Sequence, residues 1–146
     1  MITFNFDKHQ QHATAFLHEV ANELNIGDLD KSGRILITVL HTLRDRILPQ
    51  ESLDLVAQLP VVIRAAYIDG WRLSDKVERS HTREGFFNNV KKHAVAGINT
   101  TDFDDDEDVE AIVRAVFRVL ERHVSEGEVT RLKSQLPEPI VELLEA

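Results

Sequence analysis

Along residues 9–24 the apolar side chains Ala13, Phe16, Leu17, Val20, Ala21 and Leu24 recur every three or four positions, the period of one helix face. Asn25-Ile26-Gly27-Asp28 breaks that pattern. Gly27 suits a left-handed terminal turn, and Asp28 or Asp30 offers a side-chain oxygen to cap the next helix. Over residues 30–48, Leu36, Val39, Leu40, Leu43 and Ile47 form a stripe, with Thr38, His41 and Asp45 on the other side. This predicts a helix with one core face and one wet face. Pro49 cannot continue that helix but fits the first turn of a new one, which predicts a third helix over residues 51–56. Pro60 repeats the device and opens a fourth helix over 61–68, which Asp69-Gly70 ends. Residues 1–7 alternate apolar and polar, but a lone strand has no partner, so a disordered or docked arm is expected.

The same pattern then returns at a constant offset. Residues 35–64 and 112–141 match at Ile35/Ile112, Val39/Val116, Leu43/Leu120, Glu51/Glu128, Leu55/Leu132, Gln58/Gln135, Leu59/Leu136, Pro60/Pro137 and Ile63/Ile140. Before the second copy, residues 71–82 are polar with only Leu73 and Val77 apolar, and they predict a linker. Phe86, Phe87, Val90, Ala94 and Val95 replay the first helix until Gly97. Residues 98–108 depart from the repeat by gaining Asp102, Asp104, Asp105, Asp106, Glu107 and Asp108. The register resumes in a long helix through Ile112, Val113, Val116, Phe117, Leu120 and Val124, a short one over 126–134 and a last one over 137–144. The expectation is an all-α protein, a single domain over 1–146 built from repeat 9–70 and repeat 83–146 joined by linker 71–82. An internal duplication of this kind predicts two similar helical halves packed as one bundle about an approximate two-fold axis.

Charge narrows the partners more than the fold. The chain of 146 residues carries 17 basic and 25 acidic residues, a net charge of −8. Such a balance opposes general attraction to nucleic acid or to an anionic membrane. The apolar share of 42% is ordinary for a protein with a real core. No cysteine is present, so disulfides, thiolate zinc sites and cysteine nucleophiles are excluded by count. No apolar run reaches the roughly 20 residues of a membrane span, and the start lacks a basic flank followed by an apolar stretch. The expectation is a soluble, unexported, cytoplasmic protein.

Several stretches resemble a known family. They are Leu40-His41-Thr42-Leu43-Arg44-Asp45-Arg46, Ala57-Gln58-Leu59-Pro60, Tyr67-Ile68-Asp69-Gly70-Trp71, Arg114-Ala115-Val116-Phe117 and His123-Val124-Ser125-Glu126-Gly127-Glu128. In this order, and spanning most of the chain, they resemble the bacterial domain-of-unknown-function family 2267. Ile68-Asp69 stands where that family would carry an aromatic and a glutamate. The resemblance implies an all-helical duplicated domain from a bacterium and brings no activity with it.

The candidate chemistry is thin. Asp102, Asp104, Asp106 and Asp108 alternate like the start of a calcium loop, but Glu107 stands where the turn glycine belongs and Val113 where the closing glutamate belongs. These acids read instead as groups that offset a helix's positive end, and no metal is expected. His9 and His12 share a spacing but no carboxylate in register, so they read as surface residues. His41 and His93 read as solvated. Ser80 beside His81 is no catalytic pair, since a nucleophile needs its base brought by the fold. The six glycines are dispersed and make no phosphate loop. Phe86 and Phe87 sit at core spacing, and Lys91-Lys92 is too small a basic cluster for nucleic acid. No catalytic residue and no cofactor is expected.

The candidate contact surface comprises Arg44, Arg46, Tyr67, Trp71 and Glu121. Tyr67 and Trp71 are amphipathic aromatics at an element end and are expected to cover the joint between the halves. Arg44-Asp45-Arg46 corresponds to Glu121-Arg122-His123 in the second copy with charges inverted at the first two positions, so Arg44 is expected beside Glu121, holding the halves in register; the rival reading has Arg44 and Arg46 reaching outward to a partner or an anionic ligand. These observations favour a non-enzymatic helical module that binds a protein partner or itself. The alternative is a small-ligand binder or enzyme with its pocket between the halves.

Overall fold

In the computed structural model, which describes residues 2–73, 80–96, 103 and 106–145 and, of residues 95, 96 and 107, the backbone alone, Asn5 opens the first helix. Its Oδ1 accepts a hydrogen bond from the Lys8 N–H at 3.1 Å, and α1 (Phe6–Leu24) starts three residues ahead of the expected position. The helix ends on Asn25, not on Gly27. Asn25 takes the left-handed conformation at φ 55°, and its N–H and that of Ile26 return to Asn22 and Ala21. This doubly bonded terminal turn needs a residue tolerant of positive φ followed by an apolar one. Asn25-Ile26 satisfies both, because Ile26 packs back on the core.

Asp28 caps α2 (Leu29–Arg44), accepting from the N–H groups of Asp30 and Lys31. Here too an expected boundary moves, since α2 stops at Arg44 and not near Leu48. Leu48 precedes a proline, which drives it to extended backbone (φ −67°, ψ 149°) and makes it the lead-in to α3 (Pro49–Val56). α4 (Val61–Ile68) follows Pro60 and is closed by Gly70 at φ 69°. The second half contains α5 (Arg83–Ala96), α6 (Asp106–His123), α7 (Glu126–Ser134) and α8 (Glu138–Glu145). Every regular element among the described residues is a helix. None of these helices is long and apolar enough to cross a membrane. Of the expected linker, residues 74–79 lie outside the described residues, as do Asp102, Asp104 and Asp105 of the acidic run.

The helix starts keep one spacing. Arg83 lies 77 residues after Phe6, and the same 77 separates Leu29 from Asp106, Pro49 from Glu126 and Val61 from Glu138. Packing crosses between the halves. α1 packs on α6 and α5 on α2, while α3 meets α7 and α2 meets α6. Phe16, Val20, Leu36, Leu40, Leu43, Phe86, Val113, Phe117 and Leu120 share one continuous core. On its outer side the α1–α6 contact is tied by a hydrogen bond between Glu19 and His123 and by ion pairs from Glu23 to Arg118 and Arg122.

This crossing corrects the reading of α2 as half wet. With α1, α4, α5 and α6 all packed against it, α2 buries Thr38 and Thr42 as well as its apolar stripe. Their hydroxyls donate to the Arg34 and Thr38 carbonyls one turn back, both at 2.8 Å, which satisfies them without water. His41 and His93 are likewise half-buried and engaged by other helices. His41 Nε2 lies 2.7 Å from the Ala66 carbonyl of α4, and His93 of α5 pairs with Asp45 at the end of α2. Burial holds the His41 imidazole below its ordinary pKa, against the opposing pull of the Ala66 carbonyl.

Candidate functional site

The charged run at the end of α2 is structural before it is anything else. Arg44 is buried, and its Nη1 donates to the carbonyls of Tyr67 at 2.6 Å and Asp69 at 2.9 Å. These are carbonyls at the C-terminal end of α4 that no helical N–H can reach, so the guanidinium serves as a cap supplied by another helix. Its face lies 6.0 Å from the Trp71 ring centroid, and Trp71 meets Tyr67 edge-on. Tyr67 is fully buried, with its hydroxyl 2.6 Å from Ser52 Oγ, and burial pushes its pKa up to about 12. Arg46 is buried as well; its Nη1 donates to the Ser80 carbonyl at 2.6 Å and its guanidinium stands over Phe86. Glu121 is exposed and pairs with Lys133 at 3.5 Å. The expected meeting of Arg44 with Glu121 is therefore not made. Of the candidate contact residues, Arg44, Arg46 and Tyr67 are interior, Trp71 is half-buried and Glu121 alone is exposed. Among the described residues, Tyr67 and Trp71 meet Arg44, Ser52 and each other, all in the first half.

The joint between the halves has its own polar centre, where α3 meets α7. Leu48 leads into α3 and Ser125 into α7, and each backbone N–H there is bonded by a glutamine of the other half. Gln135 Oε1 accepts from Leu48 at 2.8 Å, and Gln58 Oε1 accepts from Ser125 at 2.7 Å. Since Leu48 and Ser125 are 77 apart, as are Gln58 and Gln135, the two bonds are reciprocal. The sequence Ser125-Glu126-Gly127-Glu128 spells a capping box, in which the glutamate should turn back to the serine N–H. Ser125 does its part, accepting from the Glu128 N–H at 3.2 Å. Glu128 does not do the other half, because Gln58 has taken the donor.

Freed from capping, Glu128 and its counterpart Glu51 turn inward. Glu51 is 5% exposed and Glu128 0%, and one oxygen of each, Oε1, is buried without a hydrogen-bond partner. The second oxygens are engaged. Glu128 Oε2 accepts from Arg131 Nη2 at 2.7 Å, and Glu51 Oε2 lies 3.4 Å from Gln135 Nε2. Burial, then the nearness and charge of Glu128, push the Glu51 carboxyl up to about 7. Sequence reading missed this pair as a site. The signal was present, for Glu51/Glu128 is the one ionisable match among positions otherwise apolar, amide or proline.

A groove of about 470 Å³ opens beside the joint, between the start of α1, the α3–α4 turn and the end of α6. Phe16, Leu59, Pro60 and Val61 form its apolar wall, and its ionisable lining is wholly basic: Lys8, His9, His12, Arg64 and His123. Arg64 is positioned by donating Nε to the Leu59 carbonyl at 2.6 Å, and His9 Nε2 lies 2.6 Å from the Thr3 carbonyl. His123 is held by Glu19 and stacks against Phe16 at 4.8 Å between ring centroids. His9 and His12, expected as isolated surface residues, thus face a third histidine more than a hundred residues away in the chain. No group of three or more His, Asp or Glu among the described residues has the geometry to hold a metal ion.

A search among curated proteins found no match. A family model does match, over residues 13–143, which takes in α1 from Ala13 onward and every later helix apart from the last residues of α8. The chain belongs to the family described as uncharacterized conserved protein DUF2267.

Proposed function

We propose that this chain is a non-enzymatic helical module that binds a protein partner, and that the groove beside the joint takes an acidic segment of that partner. One observation carries the reading: every ionisable group lining the groove is a base, on a chain whose net charge is −8. A local field opposed to the overall charge selects an anionic segment. The wall of Phe16, Leu59, Pro60 and Val61 adds apolar contact beside the charges. The net charge disfavours nucleic acid and anionic membrane as partners, and the absence of cysteine suits a bacterial cytoplasm. Charge reversal at two of the exposed bases tests the reading. A partner captured by the wild-type chain should be lost by Lys8→Glu with His12→Glu and weakened by salt. Retention of the same partner by the double variant sinks the proposal.

A second reading rests on the groove's volume, which lies within the roughly 300–1,000 Å³ of small-ligand pockets. Both halves contribute to the lining, through α1 and α4 on one side and His123 on the other. A small carboxylate or phosphate compound that raises the melting temperature of the wild type but not of the double variant would favour it.

We further infer that the halves arose by duplication and are related by an approximate two-fold axis, within one domain joined by residues 71–82. What supports this is the shared spacing of 77 between helix starts, the reciprocal Gln58–Ser125 and Gln135–Leu48 bonds, and the self-matching contacts of α3 with α7. In a two-fold contact, residue i meets j as j meets i.

A further inference from the structure

Two glutamates meet where α3 packs on α7, and their surroundings do not let both be carboxylates. A carboxylate only accepts hydrogen bonds, so two facing carboxylates would leave Oε1 of Glu51 and Oε1 of Glu128 as buried acceptors without a donor. A single proton satisfies both, donated from one Oε1 and accepted by the other. We propose that Glu51 and Glu128 share one proton across the α3–α7 joint, and that its loss, by placing two like charges in a buried contact, loosens the joint between the halves.

The copies have diverged in a way that decides which residue holds the proton. Three positions after Glu128 stands Arg131, whose Nη2 donates to Glu128 Oε2 at 2.7 Å. Three positions after Glu51 stands Asp54, which adds a negative charge instead. Glu128 is therefore the carboxylate and Glu51 the acid, its second oxygen within reach of the Gln135 amide. The remaining charged or titratable groups on the packed elements do not change this assignment. On α4, Tyr67 bonds Ser52, the neighbour of Glu51, and Arg64 is turned to the Leu59 and Ala57 carbonyls. The Gln58–Ser125 and Gln135–Leu48 bonds flank the pair, so the joint has neutral ties that persist when the proton leaves.

The sign of the pH effect follows. Glu51 has a folded pKa of about 7, above its ordinary value of 4.5, so its contribution is complete below pH 4.5, falls as pH rises from there through 7, and is gone above it. The test uses the full chain. The wild-type melting temperature should fall by about 5 °C or more between pH 6 and pH 9. Glu51→Gln keeps a donor toward Glu128 but has no proton to lose, so its melting temperature should hold over that range and exceed the wild type's at pH 9. Glu128→Gln, in which the amide donates to an ionised Glu51, should also flatten the profile, which guards against either variant folding poorly alone. Infrared spectroscopy reads the proton directly: a protonated carboxyl C=O band present at pH 6, gone at pH 9 and missing from Glu51→Gln. Parallel melting profiles of wild type and Glu51→Gln, or no such band at pH 6, overturn the proposal. So does stabilisation by magnesium or calcium that Glu51→Gln abolishes, for that would assign the gap between the oxygens to a cation.

Discussion

Arg44 Nη1 donates to the Tyr67 carbonyl at 2.6 Å, so the last turn of α4 is closed by a side chain of α2 and not by its own sequence. Removing it strands buried carbonyls. Arg44→Ala should cost about 1–3 kcal/mol, the penalty of an unsatisfied buried acceptor. Because Glu121 is paired with Lys133 elsewhere, Arg44→Ala and Glu121→Ala should add to within about 0.5 kcal/mol. A denaturant double-mutant cycle measures both, and a larger coupling would restore the expected link across the halves.

Leu43 and Leu120 occupy matched positions on α2 and α6 and are both buried in the shared core. Leu43→Ala and Leu120→Ala should each destabilise by about 2–5 kcal/mol, the range for truncating a core leucine. Since the core is continuous, each loss should appear as one cooperative transition. A biphasic urea curve for either variant would show that the halves unfold separately.

Gln58 and Gln135 perform the same service for each other's half, bonding the N–H that opens α7 and α3. Gln58→Ala and Gln135→Ala should therefore have similar effects, each about 0.5–2 kcal/mol by the measure of lost helix caps. Circular dichroism at a series of urea concentrations checks the equality. A strongly unequal pair would mean that the two ends of the joint carry different loads.

His41 sets an acid limit to stability. Its folded pKa lies below the ordinary 6.5, chiefly through burial, so its neutral form is favoured by folding and the corresponding stability is lost as pH falls below that value. Glu51 acts in the opposite direction between pH 4.5 and about 7, so the two slopes oppose each other below 6.5 and only the Glu51 loss continues from there to 7. His41→Gln should remove the opposing slope and leave the Glu51 loss intact, as read from melting temperatures between pH 4 and pH 9.

The architecture at the level of elements was legible before any folding was considered. Apolar residues at helical spacing and the prolines at positions 49, 60 and 137 required helices of roughly these lengths. Periodicity is a local property, and local properties are written in the chain. Helix ends were less legible, since Asn25 and Gly27 could both end α1, and it was the packing of Ile26 that chose Asn25. Only the tertiary structure decided where the polar residues go. Whether Arg44 meets Glu121 or a carbonyl, whether His41 is wet, and whether Glu128 caps its own helix or faces Glu51 all depend on which helices become neighbours. In this fold α1 crosses to α6 and α5 to α2, so the neighbours of each polar group come from distant parts of the chain. Polar side chains then take the nearest unsatisfied partner that burial leaves them, and periodicity carries no record of that choice.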